Sequence, residues 1–465
     1  MKRILLAAGS TALLAGCASV DPHPAFTDME KAVSDRTGAH ATWVRTTAEG
    51  DKVAGAVREL LKDDLTADAA VRIALVNNRS LQAAFEEIGV SQADLAQSAL
   101  LRNPEFDGFL RFPKGEPSGN NVELGVVQDV LDIFTRPLRR KIGAAQLEQT
   151  KLRVGSAVVE LAAEVKTACF NLQARRQLVG RLELIMEVNR AAAEFARKQH
   201  DAGTMNDLDL ATHQATYNQS KVEVAVEAAR VRSDRERLNR LLGLWGADTG
   251  WRIAGQLPPI PGDEIPLEGL ESLAISQRLD VAAARWGVDV VGRALALKRG
   301  TRYLPVGIKV GVQTEKDSGG RRVTGPSVAL QLPIFDTGRA SIARLEAQHR
   351  QAQRQLEALA INVRSEVREA RDLLLATRDV ARYYGSILLP ERVEILDLTL
   401  KSHNMMLKGT YDLLLAKQSE VATERSYVEA WRDYWIARTR LERAVGGRLD
   451  AGVAPAAMSK EGGSR

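Results

Sequence analysis

The sequence predicts a mostly α-helical chain with membrane β-structure: long coiled-coil helices forming a helical barrel, plus four β-strands per chain contributing to a shared β-barrel. Three observations predict it. Heptad patterns run far beyond an ordinary globular helix, four short segments alternate apolar and polar residues, and the whole plan occurs twice at a spacing near two hundred residues.

The chain opens with Lys2 and Arg3 ahead of a short apolar run from Ile4 to Leu14. That stretch is too short and wrongly flanked for a membrane-spanning helix and reads as a signal peptide over residues 1–16. Leu14-Ala15-Gly16-Cys17 resembles the bacterial lipobox, which implies acylation of Cys17, cleavage before it, and a lipid-anchored segment over residues 17–64. Ala18 rather than Asp after the cysteine implies, by the same resemblance, the outer membrane.

A helix of Ala-rich periodicity follows from about Thr66, a fitting N-cap, to Arg102. Phe106, Gly108, Leu110 and Phe112 then alternate with Asp107, Phe109 and Arg111, and Val122, Leu124 and Val126 with Glu123, Gly125 and Val127. A stretch from Pro137 to His200 would extend roughly 95 Å as one helix, with Pro137 expected at its start. A tight Gly203-Thr204 turn leads into a return helix ending near Leu242-Gly243.

The second copy repeats these landmarks in order. Ala74-Leu75 returns as Ala274-Ile275, Pro104 as Pro305, Gln128-Asp129 as Gln331-Leu332, and Gly203-Thr204 as Gly409-Thr410. Val306, Ile308, Val310 and Val312 form one alternating strand, and Val328, Leu330 and Leu332 another. In the long helix after them, Ile342, Leu345, His349, Ala352, Leu356, Leu359 and Val363 follow a spacing of three and four, which calls for a helix alongside. Pro390 should loosen that helix, because it removes a backbone donor. The repeats are bounded at residues 65–255 and 256–446, with a Gly/Ala/Pro-rich disordered tail at 447–465.

Composition excludes several functions. The formal net charge of +5 is small against 26% charged residues and gives no footprint for nucleic acid. Cys169 is the one cysteine besides Cys17, so no internal disulfide and no Cys-based metal cluster can form, and it reads as a packing residue. No Gly-x-Ser-x-Gly, His-Glu-x-x-His or phosphate-cradling loop occurs, which argues against an enzyme and against a cofactor other than the lipid on Cys17. Four strands cannot close a barrel, and open edges are intolerable in lipid, so several copies must combine. Three copies would give twelve strands and a ring of twelve helices, with the copy number open at this point.

The plan resembles the TolC-type outer membrane efflux family over about Leu65 to Gly446. Pro333-Ile334-Phe335-Asp336-Thr337-Gly338-Arg339 looks like its strand-to-helix junction, Leu389-Pro390 like its mid-helix proline, and Gly409-Thr410-Tyr411-Asp412-Leu413 like its periplasmic helix-turn tip. The first repeat departs at its junction, Asp132-Ile133-Phe134-Thr135-Arg136, which lacks the glycine. The resemblance implies a homotrimeric channel-tunnel in the outer membrane lipid. Its tips, Gly203, Thr204, Gly409 and Thr410, would meet a periplasmic adaptor and an inner-membrane pump. A glycine suits each tight αα turn because it tolerates positive φ.

Candidate functional residues gather at the tips. Repeated around a symmetric pore, Asp207, Asp209 and Asp412 would form carboxylate rings that favour cations and close on basic neighbours such as Lys408 and Arg197. Acidic residues early in a helix equally complement its dipole. His403, Met405 and Met406 beside one tip, with His200 and Met205 at the other, carry soft ligands suited to Cu(I) and related ions, although Met at helical spacing also serves packing. The predicted function is the exit duct of a tripartite efflux pump for small toxic compounds or metal ions. The alternatives are a duct for type I protein secretion and, in another class, a periplasmic adaptor or structural coiled-coil lipoprotein.

Overall fold

The computed structural model describes residues 20–112, 114, 119–262, 267–302, 306–331 and 334–449. The signal peptide, Cys17, Pro305, Leu332, Pro333 and residues 450–465 of the expected tail lie outside the described residues. Two compact units emerge, one from residues 1–29, 85–154 and 280–359, the other from 30–84, 155–279 and 360–465.

The first unit carries the sheet. Strands β1 (Glu105–Arg111), β2 (Asn121–Asp129), β3 (Val306–Lys316) and β4 (Arg322–Gln331) pair antiparallel in the order β1-β2-β3-β4. The register joins Phe106 to Val126, Val126 to Val312 and Val312 to Pro326, so Phe106, Leu110, Val122, Leu124, Val126, Val310, Val312 and Val328 share one face, while Phe109, Val127 and Val323 lie on the other. Between Val306 and Lys309 the register shifts in a bulge, where Gly307 takes a φ of 77°. The core of this unit forms where residues 85–98 meet residues 131–154 and 280–300. Phe85 and Ile88 are fully buried there, and Phe26 meets the Phe85 ring edge-on with centroids 5.1 Å apart.

The second unit is helical. The N-terminal segment, which periodicity left unread, contains α1 (His23–Thr37) and α2 (Thr47–Leu60). Helix α2 starts at a capping box: Thr46 Oγ1 accepts from the Glu49 N–H at 3.3 Å, and the Glu49 carboxylate accepts from the Thr46 N–H at 3.2 Å. Thr66 caps α3 (Ala67–Asn77), accepting from the Ala69 N–H at 3.2 Å.

The helix expected to run unbroken to Arg102 instead stops at Asn78, and α4 (Arg79–Ser98) begins anew. Asn78 is extended, its side-chain oxygen accepts from the Leu81 N–H at 2.8 Å, and its amide donates to the Leu241 carbonyl at 2.8 Å. The second repeat breaks at Arg278, between α7 (Leu270–Gln277) and α8 (Leu279–Gly300), and Arg278 reaches the Ala444 carbonyl at 3.3 Å. Both breaks thus fasten a short helix onto the end of a long return helix.

Helix α5 spans Leu131–Asp201, so Pro137 lies inside it rather than at its start. Asp132 sets the earlier start: its buried carboxylate accepts from the Arg102 N–H at 2.9 Å and pairs with Arg139 at 2.7 Å, and it complements the helix N-terminus. The carbonyl that Pro137 leaves without a donor belongs to Ile133, in an exposed turn where its cost is small. The return helix α6 (Asp207–Leu242) ends at Gly243, with φ of 68°. A Cβ there would come 2.4 Å from the Asn77 carbonyl, so both conformation and space demand glycine.

Helix α9 (Arg339–Tyr383) buries Val363, the last of the heptad positions, and beyond it Val367, Ala370, Leu374 and Ala381, while the earlier positions from Ile342 to Leu359 are part-buried. One turn of π-helix, Tyr384–Leu388, follows before α10 (Leu389–Asn404). Pro390 explains it: the donor it lacks leaves the ladder one bond short, and a widened turn accommodates the gap. Helix α11 (Thr410–Val445) closes the unit with Tyr434 and Leu441 fully buried. Beyond Gly446 the chain stays bonded, with Arg448 N–H donating to the Arg36 carbonyl at 2.8 Å, so Gly447 and Arg448 are not part of a loose tail.

Candidate functional site

The two helical turns lie between α5 and α6 and between α10 and α11, both in the helical unit. At the first, Gly203 takes φ of 74°, its N–H donates to the His200 carbonyl at 2.8 Å, and the Thr204 N–H donates to the Gln199 carbonyl at 2.9 Å. This is a Schellman close. At the second, the left-handed residue is Met406, with φ of 62°. Its N–H donates to the His403 carbonyl and that of Leu407 to the Ser402 carbonyl, both at 2.9 Å.

Gly409 therefore does not supply a positive φ. It lies at φ −79° and is the N-cap of α11. The structural counterpart of Gly203 is Met406, and that of Gly409 is Asn206, the N-cap of α6. Matching glycine to glycine shifted the two turns by three residues, because each repeat places its one turn glycine at a different station.

The carboxylates are engaged locally. Asp209 donates its N–H to Asn206 Oδ1 at 2.8 Å and accepts from Asn206 Nδ2 at 2.9 Å. Asp412, its counterpart, accepts from the Gly409 N–H at 3.0 Å, with Lys408 Nζ 3.9 Å from its other oxygen. Asp412 thus caps α11 through the Gly409 N–H, whereas at α6 the cap is Asn206 and Asp209 braces its side-chain amide. Asp207 projects into solvent and pairs with His200 Nε2 at 2.7 Å. Thr204 folds back, its hydroxyl donating to the Gln199 carbonyl at 2.9 Å, while Thr410 opens α11.

His403, Met405 and Met406 lie at the end of α10 and in the turn that follows it. His403 Nδ1 faces the Lys408 carbonyl at 3.0 Å, and Met406 is 95% exposed. Among the described residues no group of three His, Cys, Asp or Glu side chains could hold a metal ion.

Tyr411, at first position but one of α11, was not singled out from the sequence. Its ring stacks on His213 of α6 with centroids 4.4 Å apart, and its hydroxyl donates to Gln199 Oε1 of α5 at 3.3 Å and meets Met205 Sδ at 4.0 Å. One half-buried side chain thus ties the second hairpin to both helices of the first. Burial, followed by the nearby Asp209 charge, pushes its phenol above the usual tyrosine range. The signal was a break in the repeat, since Leu208 stands at the matching station.

In the sheet, the face opposite the apolar one carries polar pairs alongside Phe109, Val127 and Val323. Arg111 pairs with Glu123 at 2.9 Å, Lys309 with Glu105, and Asn121 donates to Glu315 at 2.6 Å. Phe106, Leu124, Val126, Val312 and Val328 stand exposed on the apolar face. A sheet apolar on one side and polar on the other, with β1 and β4 left as open edges, is a barrel segment. Among the described residues no helix is long and apolar enough to cross a membrane.

Residues 70–244 and 270–447 match the family described as Outer membrane efflux protein. The chain belongs to this family. Residues 1–18 match the prokaryotic membrane lipoprotein lipid attachment site. The cobalt-zinc-cadmium resistance protein CzcC of Cupriavidus metallidurans is 20% identical over 387 residues, spanning 82% of this chain and 90% of that protein. Among solved structures, CusC superposes with a TM-score of 0.68 at 19% identity, covering 83% of this chain and 93% of its own. The CmeC outer membrane channel of Campylobacter jejuni gives 0.71 at 17% identity, covering 83% and 87%. The family member described here is accordingly an outer-membrane efflux protein with a lipoprotein attachment site, and its family is not one of enzymes.

Proposed function

We propose that the chain is the exit duct of a tripartite efflux pump, working as a homotrimer in which three four-stranded sheets close one twelve-stranded barrel. The observation that carries this reading is the sheet itself: open edges at β1 and β4, on a surface apolar on one side, leave closure with further copies as the way to satisfy the backbone in lipid. The polar face then lines the pore. A periplasmic adaptor and an inner-membrane pump are the partners, met at the turns around Gly203 and Met406, where Leu208, Met405, Met406 and Leu407 stand exposed.

Asp207, Asp209 and Asp412 are proposed as the gate carboxylates. Asp207 suits this role best, since its side chain is 97% exposed while Asp209 is held by the Asn206 amide and Asp412 caps α11. Metal ions are a favoured cargo on the strength of the likeness to a cobalt-zinc-cadmium resistance protein. No resident cofactor is invoked beyond lipid on Cys17. Planar bilayers test the duct: the full-length protein should give a trimer-dependent conductance, larger in Asp207→Asn if the carboxylates gate it. A folded, membrane-inserted trimer without conductance would refute the reading. Export of a polypeptide by the same duct in cells lacking any metal phenotype would instead favour type I secretion.

A further inference from the structure

On β3 and β4 the apolar face changes character along the strands in an ordered way, whereas on β1 and β2 the same rows stay apolar at Leu110, Val122 and Leu124. On the β3–β4 pair the successive rows on that face are Val310 with Val328, Val312 with Pro326, Thr314 with Thr324, and Lys316 with Arg322. The two threonine hydroxyls bond at 2.9 Å. The last row stands next to the hairpin loop, at the end of the strands away from the helices. Hydrocarbon side chains thus give way to hydroxyls and then to two cations directly opposite each other.

That final pair is unusual. Like charges at opposed positions repel and weaken a sheet. Both side chains are exposed, and among the described residues neither has an ion pair. The acids that flank Lys316 in sequence are engaged: Asp317 Oδ1 accepts from the Arg321 N–H at 2.8 Å within the loop, and Glu315 lies on the opposite face, where Asn121 donates to it. Among the described residues, two cations therefore stand side by side without an acidic partner at the loop end of the β3–β4 apolar face.

We propose that Lys316 and Arg322 form a cationic clamp for the phosphate groups of outer-leaflet lipid. This rests on the reading that the apolar face meets lipid and that the hairpin loops emerge at the outer surface. The chemistry fits: a guanidinium offers a planar fork to phosphate oxygens, and the lysine adds a point charge beside it. The threonine row sits at the depth where acyl chains end and headgroups begin. An anion between the two cations turns their repulsion into shared attraction, so the lipid also stiffens the β3–β4 hairpin.

The test measures binding of bisphosphorylated lipid A to the full-length protein in detergent micelles by native mass spectrometry, beside lipid A stripped of its phosphates. The K316Q/R322Q double variant should bind bisphosphorylated lipid A about tenfold more weakly. The charge-conserving K316R/R322K variant, and K31Q/K52Q, which removes two exposed cations from the helical segment, should bind as the parent does. Stripped lipid A should bind weakly to all four. Undiminished binding by K316Q/R322Q, or equal binding of stripped lipid, overturns the clamp. Inorganic phosphate displacing the lipid at matching affinity would point to a free-phosphate site and overturn the commitment to lipid. Bilayer conductance of the same proteins separates the two readings, because a conducting K316Q/R322Q with unchanged lipid binding defeats the clamp alone.

Discussion

Tyr411 and His213 stack ring on ring, centroids 4.4 Å apart and planes inclined by 13°, and so join α11 to α6. Any separation of the two hairpins must first part these rings and the Tyr411–Gln199 hydrogen bond. Tyr411→Phe removes the hydrogen bond and keeps the stack, at a cost of about 1 kcal/mol, whereas Tyr411→Ala removes both, at about 2 kcal/mol. Hydrogen exchange over residues 199–213 should quicken slightly in the first and markedly in the second. Unchanged exchange in Tyr411→Ala would dismiss the clasp. The pH dependence follows from the raised phenol value. The protonated hydroxyl is the donor, so the contribution is complete below about pH 10 and is lost as pH rises through the elevated value.

Met406 holds a left-handed conformation that glycine adopts without strain, as Gly203 does in the first repeat. Met406→Gly should therefore stabilise its turn, by up to ~1 kcal/mol after the added freedom of the unfolded chain is counted. Gly203→Ala should destabilise its own turn by about the same amount. Thermal unfolding of the two variants, read against the parent, should move in opposite directions.

These two residues also show how far the sequence could be read. The four strands and the Pro390 break were legible because alternation, and a missing donor, act through near neighbours. The polar face of the sheet was legible for the same reason. The turn register was not: left-handed backbone at Met406 is imposed by the Schellman bonds from Met406 and Leu407 to α10, and side-chain identity carries no trace of it. The start of α5 was misplaced because Asp132 acts through Arg102 and Arg139, and the first of these lies across the hairpin, thirty residues away. Asn78 likewise ends α3 through the carbonyl of Leu241, which no local pattern reveals. Helices α1 and α2 were missed because their few apolar residues give short, weak periodicity.

Cys169 is fully buried in α5, and burial pushes its thiol up to about 12. At pH 8 almost none of it is thiolate, and none is accessible. A maleimide should label the folded protein about a thousandfold more slowly than an exposed thiol, and labelling should become rapid once the protein is unfolded in guanidinium. Rapid labelling of the folded protein would mean that α5 opens around residue 169.

Under the proposed function, lipid on Cys17 and the strands divide the work of membrane attachment, and their shares can be separated. Acyl chains hold a protein at a leaflet surface, whereas closed strands cross it with every backbone group satisfied. If the strands carry the attachment, exchanging residues 1–17 for an ordinary cleavable secretory signal should abolish incorporation of labelled palmitate. It should nevertheless leave roughly half or more of the protein in the outer membrane after carbonate washing. The remaining loss would reflect slower insertion, since an anchored chain searches for its partners in two dimensions rather than three. Recovery of the protein wholly in the soluble periplasmic fraction would reverse the assignment and make Cys17 the principal anchor. The apolar face of Phe106, Val126, Val312 and Val328 argues against that outcome, because a sheet held only at a surface would leave these side chains in water.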